Sequence, residues 1–104
     1  MARATAGFQP VPDEYSLAQS YPNPFNSTTR IRYVLPRSGH IRLSVYDVLG
    51  RTVDVLEDKA KDAGYFTATW DGTDANGRPA ASGVYFCALE APGRRLINKM
   101  MLIR

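Results

Sequence analysis

Hydrophobic and polar residues alternate along most of the chain, and no stretch follows a helical period. The clearest case is 29–35, where Ile31, Tyr33 and Leu35 fall on one face and polar or smaller residues fall on the other. Such alternation predicts a strand that covers a core on one side. Seven segments show this pattern or a shorter version of it, and each is predicted to be a strand: 15–20, 29–35, 40–46, 52–56, 65–70, 83–89 and 95–103.

The alternation also assigns side chains to faces. The residues expected to face the core along four of these segments are Ile31, Tyr33, Leu35, Ile41, Leu43, Val45, Phe66, Ala68 and Trp70. Arg42 and Ser44 are expected to point outward, and Val53 and Val55 to share one face of the fourth strand.

Turn-forming residues separate the predicted strands. The connections are predicted at 36–39, 47–51, 57–63, 71–83 and 91–93. The first connection combines proline with glycine, and Gly50 can supply a positive φ in the second. The longest holds an Asp-Gly and an Asn-Gly pair, which are strong turn formers. Short strands at such close spacing predict an all-β fold, an antiparallel sandwich of about seven strands in one domain.

Composition narrows the possible functions. A chain of 104 residues has room for one domain, and 44% hydrophobic with 22% charged residues is typical of a folded globular chain. One cysteine and one histidine exclude an internal disulfide, a Cys/His zinc site and a relay of two histidines. The net charge of +3 is small and spread along the chain, which argues against nucleic acid as a partner. No run of about 18 apolar residues occurs, so no membrane-spanning segment is predicted.

Residues 1–14 are predicted to be a linker. Pro10 and Pro12 favour extended backbone, and Asp13 and Glu14 favour solvent. Met1 is not followed by the apolar run of a signal peptide. We expect this module to have been part of a longer secreted chain, with Met1 as an added start.

The turn region 71–83 contains the only cluster of oxygen ligands. Asp71, Asp74 and Asn76 are candidates for calcium, but their spacing is not that of an EF-hand loop and no bidentate glutamate follows. Asp and Asn also occur in turns because their side chains bond to their own backbone. The turn interpretation is favoured, and calcium is the weaker alternative.

No catalytic arrangement emerges from the nucleophiles. Cys87 lies mid-strand with no neighbouring cation, which predicts a buried, inert thiol. His40 has no sequence neighbour that would orient it, so it is expected to be a lone exposed histidine. No nucleophile-elbow motif is present. We therefore predict no enzyme activity, no cofactor and no catalytic residue.

Aromatic residues raise the alternative of a carbohydrate-binding module. Trp70 shares its predicted face with Phe66 and Ala68, which favours a core position. An exposed set of Tyr21, Tyr46 and Tyr65 stays possible as a sugar platform, although the three lie on different segments.

The segment 21–26 is the least ordinary stretch. Two prolines and two asparagines predict a stiff segment that packs on the sandwich edge before the first long strand, with Phe25 as its apolar anchor.

Together these segments resemble the type A C-terminal sorting domains of the type IX secretion system, and the immunoglobulin-like module of flagellar hook-capping proteins shares much of the pattern. The resemblance covers about residues 15–104 and rests on motifs in the same order: 15–33, 43–51, 63–64, 69–72, 76–77, 82–86 and 99–104. The residues that carry the family signature are Tyr21, Pro22, Asn23, Pro24, Phe25, Asn26, Gly50, Trp70, Gly83 and Tyr85. Two positions depart from it: Cys87 stands where an aromatic is frequent, and Ser27 where proline is common.

The resemblance implies an immunoglobulin-like β-sandwich that serves as an address. Domains of this family direct an attached cargo across the outer membrane to the cell surface, often with cleavage upstream. The implied partners are the outer-membrane translocon, its sortase-like processing machinery and an N-terminal cargo domain, and the implied location is secreted or cell-surface. The recognition element is expected to be the terminal six residues: Lys99, Met100, Met101, Leu102, Ile103 and Arg104. A final strand with unpaired backbone groups at its edge would be recognised by a receptor that adds a strand there. The alternatives are a hook-cap-like interaction module and a carbohydrate-binding module.

Overall fold

A computed structural model describes residues 12–104 and shows seven strands and no helix within that range. The strands are β1 (Ser16–Leu17), β2 (Thr29–Leu35), β3 (Gly39–Tyr46), β4 (Thr52–Lys61), β5 (Gly64–Trp70), β6 (Gly83–Ala91) and β7 (Arg94–Leu102). The described residues therefore include no helix long and apolar enough to cross a membrane. The predicted all-β class and strand number are confirmed.

The strands form two antiparallel sheets. One has the order β1-β2-β5 and the other has the order β4-β3-β6-β7. The alternation in the sequence sets the faces: Ile31, Tyr33 and Leu35 on β2 are at most 1% exposed. The core between the sheets contains all the residues predicted to face inward, although Phe66 is only half-buried at its border.

The predicted linker lies mostly outside the described residues, which begin at Pro12. Asp13 and Glu14 are exposed and belong to no strand, and Tyr15 is buried. The boundary between a linker and a domain at residue 15 stays a prediction.

Strand β4 is where the sequence prediction was wrong. Residues 57–61, predicted as part of a loop, continue the strand by pairing with 39–43 on β3. On this edge the Lys61 Nζ lies 3.8 Å from a Glu57 carboxylate oxygen. The same Nζ lies 4.2 Å from the centroid of the Phe66 ring. Charged residues that lean towards the core at a sheet edge discourage edge-to-edge association, and their polarity hides the strand from pattern analysis.

Two irregularities in β4 reverse the expected faces. The register with β3 shifts once between Leu43 and Ser44 and again between Val45 and Tyr46. Each extra residue in a bulge switches the side to which the following side chains point. Val53 therefore packs against the core, whereas Val55 is 38% exposed on the outer face, so the predicted shared face was wrong.

Ser44 points outward as predicted, but it is completely buried. It pairs with Val55 on one side and with Ala88 on the other, and Ala88 pairs in turn with Ile97. The small side chains of Ser44 and Ala88 are in the middle of this row, and the larger Val55 and Ile97 at its ends extend further from the sheet and shield them from solvent. The Ser44 hydroxyl has no hydrogen-bond partner.

Candidate functional site

The segment 19–25, which we call the strap, connects the two sheets along one side of the sandwich. At its start, Tyr21 donates its N–H to the Arg30 carbonyl at 2.9 Å and accepts the Arg30 N–H at 2.8 Å. The buried Thr29 hydroxyl donates to the Pro22 carbonyl at 2.7 Å. The peptide bonds before Pro22 and Pro24 are both cis. The strap thus begins as an extension of the three-stranded sheet.

The strap also covers the outer edge of β7. The Phe25 N–H donates to the Met101 carbonyl at 3.0 Å, and the Ile103 N–H donates to the Phe25 carbonyl at 2.8 Å. The Asn23 side-chain carbonyl accepts the Met101 N–H at 2.9 Å. The Gln19 amide donates to the Lys99 carbonyl at 2.7 Å. These bonds occupy the edge from Lys99 to Ile103.

The predicted free edge on the last strand was therefore wrong for residues 99–103. The Phe25 backbone and the side-chain amides of Gln19 and Asn23 take the hydrogen-bond positions that a neighbouring strand would use, so these peptide groups are satisfied without a further strand. The sequence indicated that 21–26 would pack on the sandwich edge, and this is confirmed. It did not indicate which edge, because Asn23 and Met101 are 78 residues apart in the chain.

Phe25 anchors the strap in an aromatic cluster. Its ring is 3% exposed and meets Trp70 edge-on at 5.5 Å between centroids, and Trp70 meets Tyr85 edge-on at 5.1 Å. The Trp70 indole N–H donates to the Thr73 carbonyl at 2.9 Å, and the Tyr85 hydroxyl donates to the Ala81 carbonyl at 2.6 Å. Three residues of the predicted signature are thus one packing unit.

Burial of Trp70 removes it from any sugar platform, as predicted. Tyr21 and Tyr65 are 77% and 49% exposed, and both lie on the three-stranded sheet. Tyr46 lies on the outer face of the other sheet, so the three tyrosines do not form one platform.

The six terminal residues divide into two sets. Met100 and Leu102 are fully buried in the core. Lys99, Met101 and Ile103 are exposed, the last two by 41% and 50%. Arg104 is exposed as well, so these four residues are accessible from outside while the domain stays folded.

Arg104 binds the domain's own loop 71–83. Its N–H donates to the Ser82 hydroxyl at 2.9 Å, and its guanidinium donates to the carbonyls of Ala80 and Gly72. The chain end is thus fastened at the end of the sandwich that also carries the β3–β4 hairpin.

Substitution of Gly72 tests how much the attachment of Arg104 to this loop contributes to stability. A Cβ atom at Gly72 would lie 2.9 Å from the Arg104 guanidinium, and the backbone has φ +76°. Gly72→Ala should lower the free energy of unfolding by about 1–2 kcal/mol, because backbone strain adds to the displaced guanidinium. Gly77→Ala is the matched control, with φ +79° and open space around its Cβ. Denaturant unfolding of both variants checks this, and equal losses would show that the Arg104 contact contributes nothing.

The calcium candidates serve the turns of loop 71–83. The Asp71 carboxylate accepts the Thr73 N–H at 3.1 Å, and the Asp74 carboxylate accepts the N–H groups of Asn76 and Arg78 at 2.9 and 3.0 Å. Asn76 itself is exposed. Among residues 12–104 no three acidic, histidine or cysteine side chains converge into a group that could hold a metal.

The β3–β4 hairpin is built around Asp47. Its carboxylate accepts the N–H groups of Leu49 and Arg51 at 2.9 and 3.0 Å, and Gly50 has φ +82° as predicted. The Arg51 backbone N–H is the largest influence that holds the pKa of Asp47 below its usual value. This rigid turn leaves Val48 and Leu49 exposed at its tip.

His40 has a partner that the sequence did not indicate. Its Nε2 lies 2.6 Å from an Asp58 oxygen across the β3–β4 pair, so the predicted lone histidine was wrong. Asp58 lies in the part of β4 that the sequence did not predict as strand, and this pairing brings it beside His40. Both side chains are more than half exposed, which makes this a surface contact.

Cys87 is 1% exposed, and burial raises its pKa to about 12. At pH 8 an ordinary thiol ionises far more readily, so alkylation of the folded domain should be at least about a hundredfold slower than that of the denatured chain. Iodoacetamide labelling followed by mass spectrometry measures this. Equal rates in buffer and in denaturant would contradict the buried position.

The fold and the strap define the class of protein: an immunoglobulin-like β-sandwich in which the strap covers the edge of the last strand. The chain belongs to the FlgD Ig-like domain family, whose model matches residues 25–93. The match ends at Gly93, one residue before β7 begins, so it does not include Lys99–Arg104.

Two solved structures contain a similar domain. Dimeric latent PorU from Porphyromonas gingivalis matches with TM-score 0.64 and 22% identity over 88% of this chain and 9% of that one. PorZ, a surface component of the type IX secretion system of the same organism, matches with TM-score 0.59 and 21% identity over 85% of this chain and 11% of that one. The chain therefore spans about a tenth of either protein, and at this identity the likeness shows the fold. No curated protein matches the chain.

Proposed function

We propose that this domain is a non-catalytic C-terminal sorting domain of type A, which directs an attached cargo protein across the outer membrane through the type IX secretion system to the cell surface. Its membership of the FlgD Ig-like family and its similarity in fold to a domain of PorZ support this proposal. Its partners are the outer-membrane translocon, the processing machinery and the cargo that precedes it.

The observation that carries the proposal is the junction of the strap with β7. Segment 21–26 belongs to the first motif of the resemblance and 99–104 is its last, and these two segments, far apart in sequence, hydrogen-bond to each other. Together they form one surface, on which Lys99, Met101 and Ile103 project beside the exposed Asn23.

This geometry changes the expected mode of recognition. The edge of β7 between Lys99 and Ile103 is occupied, so a receptor that added a strand there would first have to displace the strap. Recognition through side chains requires no such change. We therefore assign recognition to the exposed members of the terminal hexapeptide, with Met100 and Leu102 contributing through folding.

A reporter fusion tests the proposal. A reporter with its own inner-membrane signal peptide is joined to residues 15–104 and expressed in a type IX-competent host and in the same host without the translocon. The expected result is reporter at the surface or in the medium of the competent host and retention in the periplasm of the other. Periplasmic retention in both hosts, with the domain intact and folded, would falsify the sorting role.

A hook-cap-like interaction module is the second candidate, favoured by the FlgD Ig-like match that stops before β7. Its function would rest on residues 25–93 and would not depend on the exposed side chains of 99–103. A fusion that stays in the periplasm, while the isolated domain co-purifies with a protein partner, supports this alternative.

A further inference from the structure

The outer face of the three-stranded sheet has a regular arrangement that the sorting role does not use. Its side chains form three transverse rows, because β1, β2, β5 and the strap pair in register. The rows, each read across the sheet, are Ser16–Val34–Tyr65, Ala18–Arg32–Thr67 and Tyr21–Arg30–Thr69. Two arginines thus occupy neighbouring positions in the middle of the sheet.

These arginines lack acidic partners within residues 12–104. None of the ion pairs among the described residues includes Arg30 or Arg32. The other sheet shows a different arrangement on its outer face: Arg42 and Arg95 both lie near Glu90, at 3.8 and 3.3 Å. The arginines of that face share one carboxylate, whereas the three-stranded sheet presents two guanidinium groups that have no carboxylate partner among residues 12–104.

Shallow grooves accompany the arginines. One of about 310 Å³ is lined by Gln19, Tyr21, Arg30, Arg32 and Thr67. A second of about 310 Å³ shares Arg32 and Thr67 with the first and extends past Val34 to Tyr65. The two grooves adjoin. Their combined surface is cationic at Arg30 and Arg32 and apolar at Val34 and Tyr65.

We propose that this face binds an extended acidic peptide with carboxylates at two alternate positions and an apolar side chain two residues further on. Residues i and i+2 of an extended chain are about 6.6–6.8 Å apart, which is also the spacing of Arg30 and Arg32 along β2. Each guanidinium can take a carboxylate in a two-pronged bond. The third side chain of the peptide then lies over Val34 and Tyr65.

The charge pattern favours a peptide over an acidic glycan. The two arginines have the spacing of alternate residues in an extended peptide. The next row along β2 contains Val34 and the half-exposed Tyr65, which can contact an apolar side chain of that peptide. This inference does not depend on the sorting role, because no residue of 99–104 takes part in it.

Fluorescence anisotropy with a labelled peptide, acetyl-Thr-Glu-Thr-Glu-Thr-Leu-amide, tests the proposal at low ionic strength. A peptide of the same composition with adjacent glutamates should bind at least about fivefold more weakly. Arg30→Gln combined with Arg32→Gln should weaken binding of the first peptide about tenfold. Arg42→Gln combined with Arg95→Gln removes the same charge from the other sheet and should change binding less than twofold. Circular dichroism checks the fold of each variant.

Three results would overturn the proposal. Equal weakening by the two double variants would mean that only net charge matters. Equal binding of the two peptides would remove the spacing argument. Tighter binding of a polyuronate or sulfated glycan than of the alternating peptide, in amounts matched for charge, would assign the face to a glycan instead.

Discussion

Trp70→Ala should lower the free energy of unfolding by about 3–5 kcal/mol, a large part of the total stability of a domain of this size. Trp70 is fully buried, touches both Phe25 and Tyr85 edge-on and donates a hydrogen bond to Thr73. Its removal leaves a cavity at the place where the strap is anchored and loop 71–83 begins.

Two variants control this prediction. Trp70→Phe keeps an aromatic ring in the cluster but loses the indole N–H, so its loss should be clearly smaller. Tyr65→Ala removes an exposed aromatic from the same strand and should cost less than about 1 kcal/mol. Denaturant unfolding followed by circular dichroism compares them, because Trp70 is the single tryptophan and its variants lose the tryptophan fluorescence signal. A loss below 1 kcal/mol for Trp70→Ala would contradict the central place of the aromatic cluster.

Deletion of residues 99–104 should prevent cooperative folding. The deletion removes Met100 and Leu102 from the core, and full burial of each such side chain contributes about 1.5–3 kcal/mol. It also removes the β7 partners of residues 83–86 and the backbone groups that hold Phe25. The combined loss is comparable with the whole stability of a small domain.

Deletion of Arg104 alone is the control for this truncation. It removes the hydrogen bonds to Gly72, Ala80 and Ser82 but leaves the core intact, so the domain should stay folded. A truncated chain without 99–104 that still unfolds cooperatively, within 1 kcal/mol of the full domain, would refute the structural role of Met100 and Leu102. Because deletion of 99–104 removes the proposed recognition residues and also unfolds the domain, a loss of secretion in this truncation would not distinguish the two effects.

Sequence patterning was sufficient for most of the fold because the strands have one buried face. The predicted 29–35 agrees with β2 to the residue, and β3, β5 and β6 begin within one residue of their predicted starts. Alternation failed in β4, where bulges interrupt the period of two and where 57–61 carries charges at a sheet edge. Pairing with β3 determines that strand, and pairing partners are not visible in a single segment.

The candidate site could be predicted only in part. Two prolines and two asparagines identified 21–26 as a distinct segment with Phe25 as its anchor, and the family resemblance singled out 99–104. Their junction depends on contacts such as Gln19 with Lys99, which join residues 80 apart. Local patterns carry no information about such contacts, because an asparagine or glutamine amide can satisfy any nearby backbone group.

Surface exposure of the reporter fusion with two matched variants tests the central claim most directly. Lys99→Glu with Met101→Ser changes the surface beside the strap, and Arg95→Glu with Ile97→Ser makes comparable changes of charge and polarity further up the outer face of β7, where it also breaks the exposed pair of Arg95 with Glu90. Both should unfold like the unmodified domain. We predict at least a tenfold loss of surface reporter for the first variant and retention of more than half for the second. Equal secretion of the two folded variants, or equal loss, would contradict recognition through the exposed end of β7.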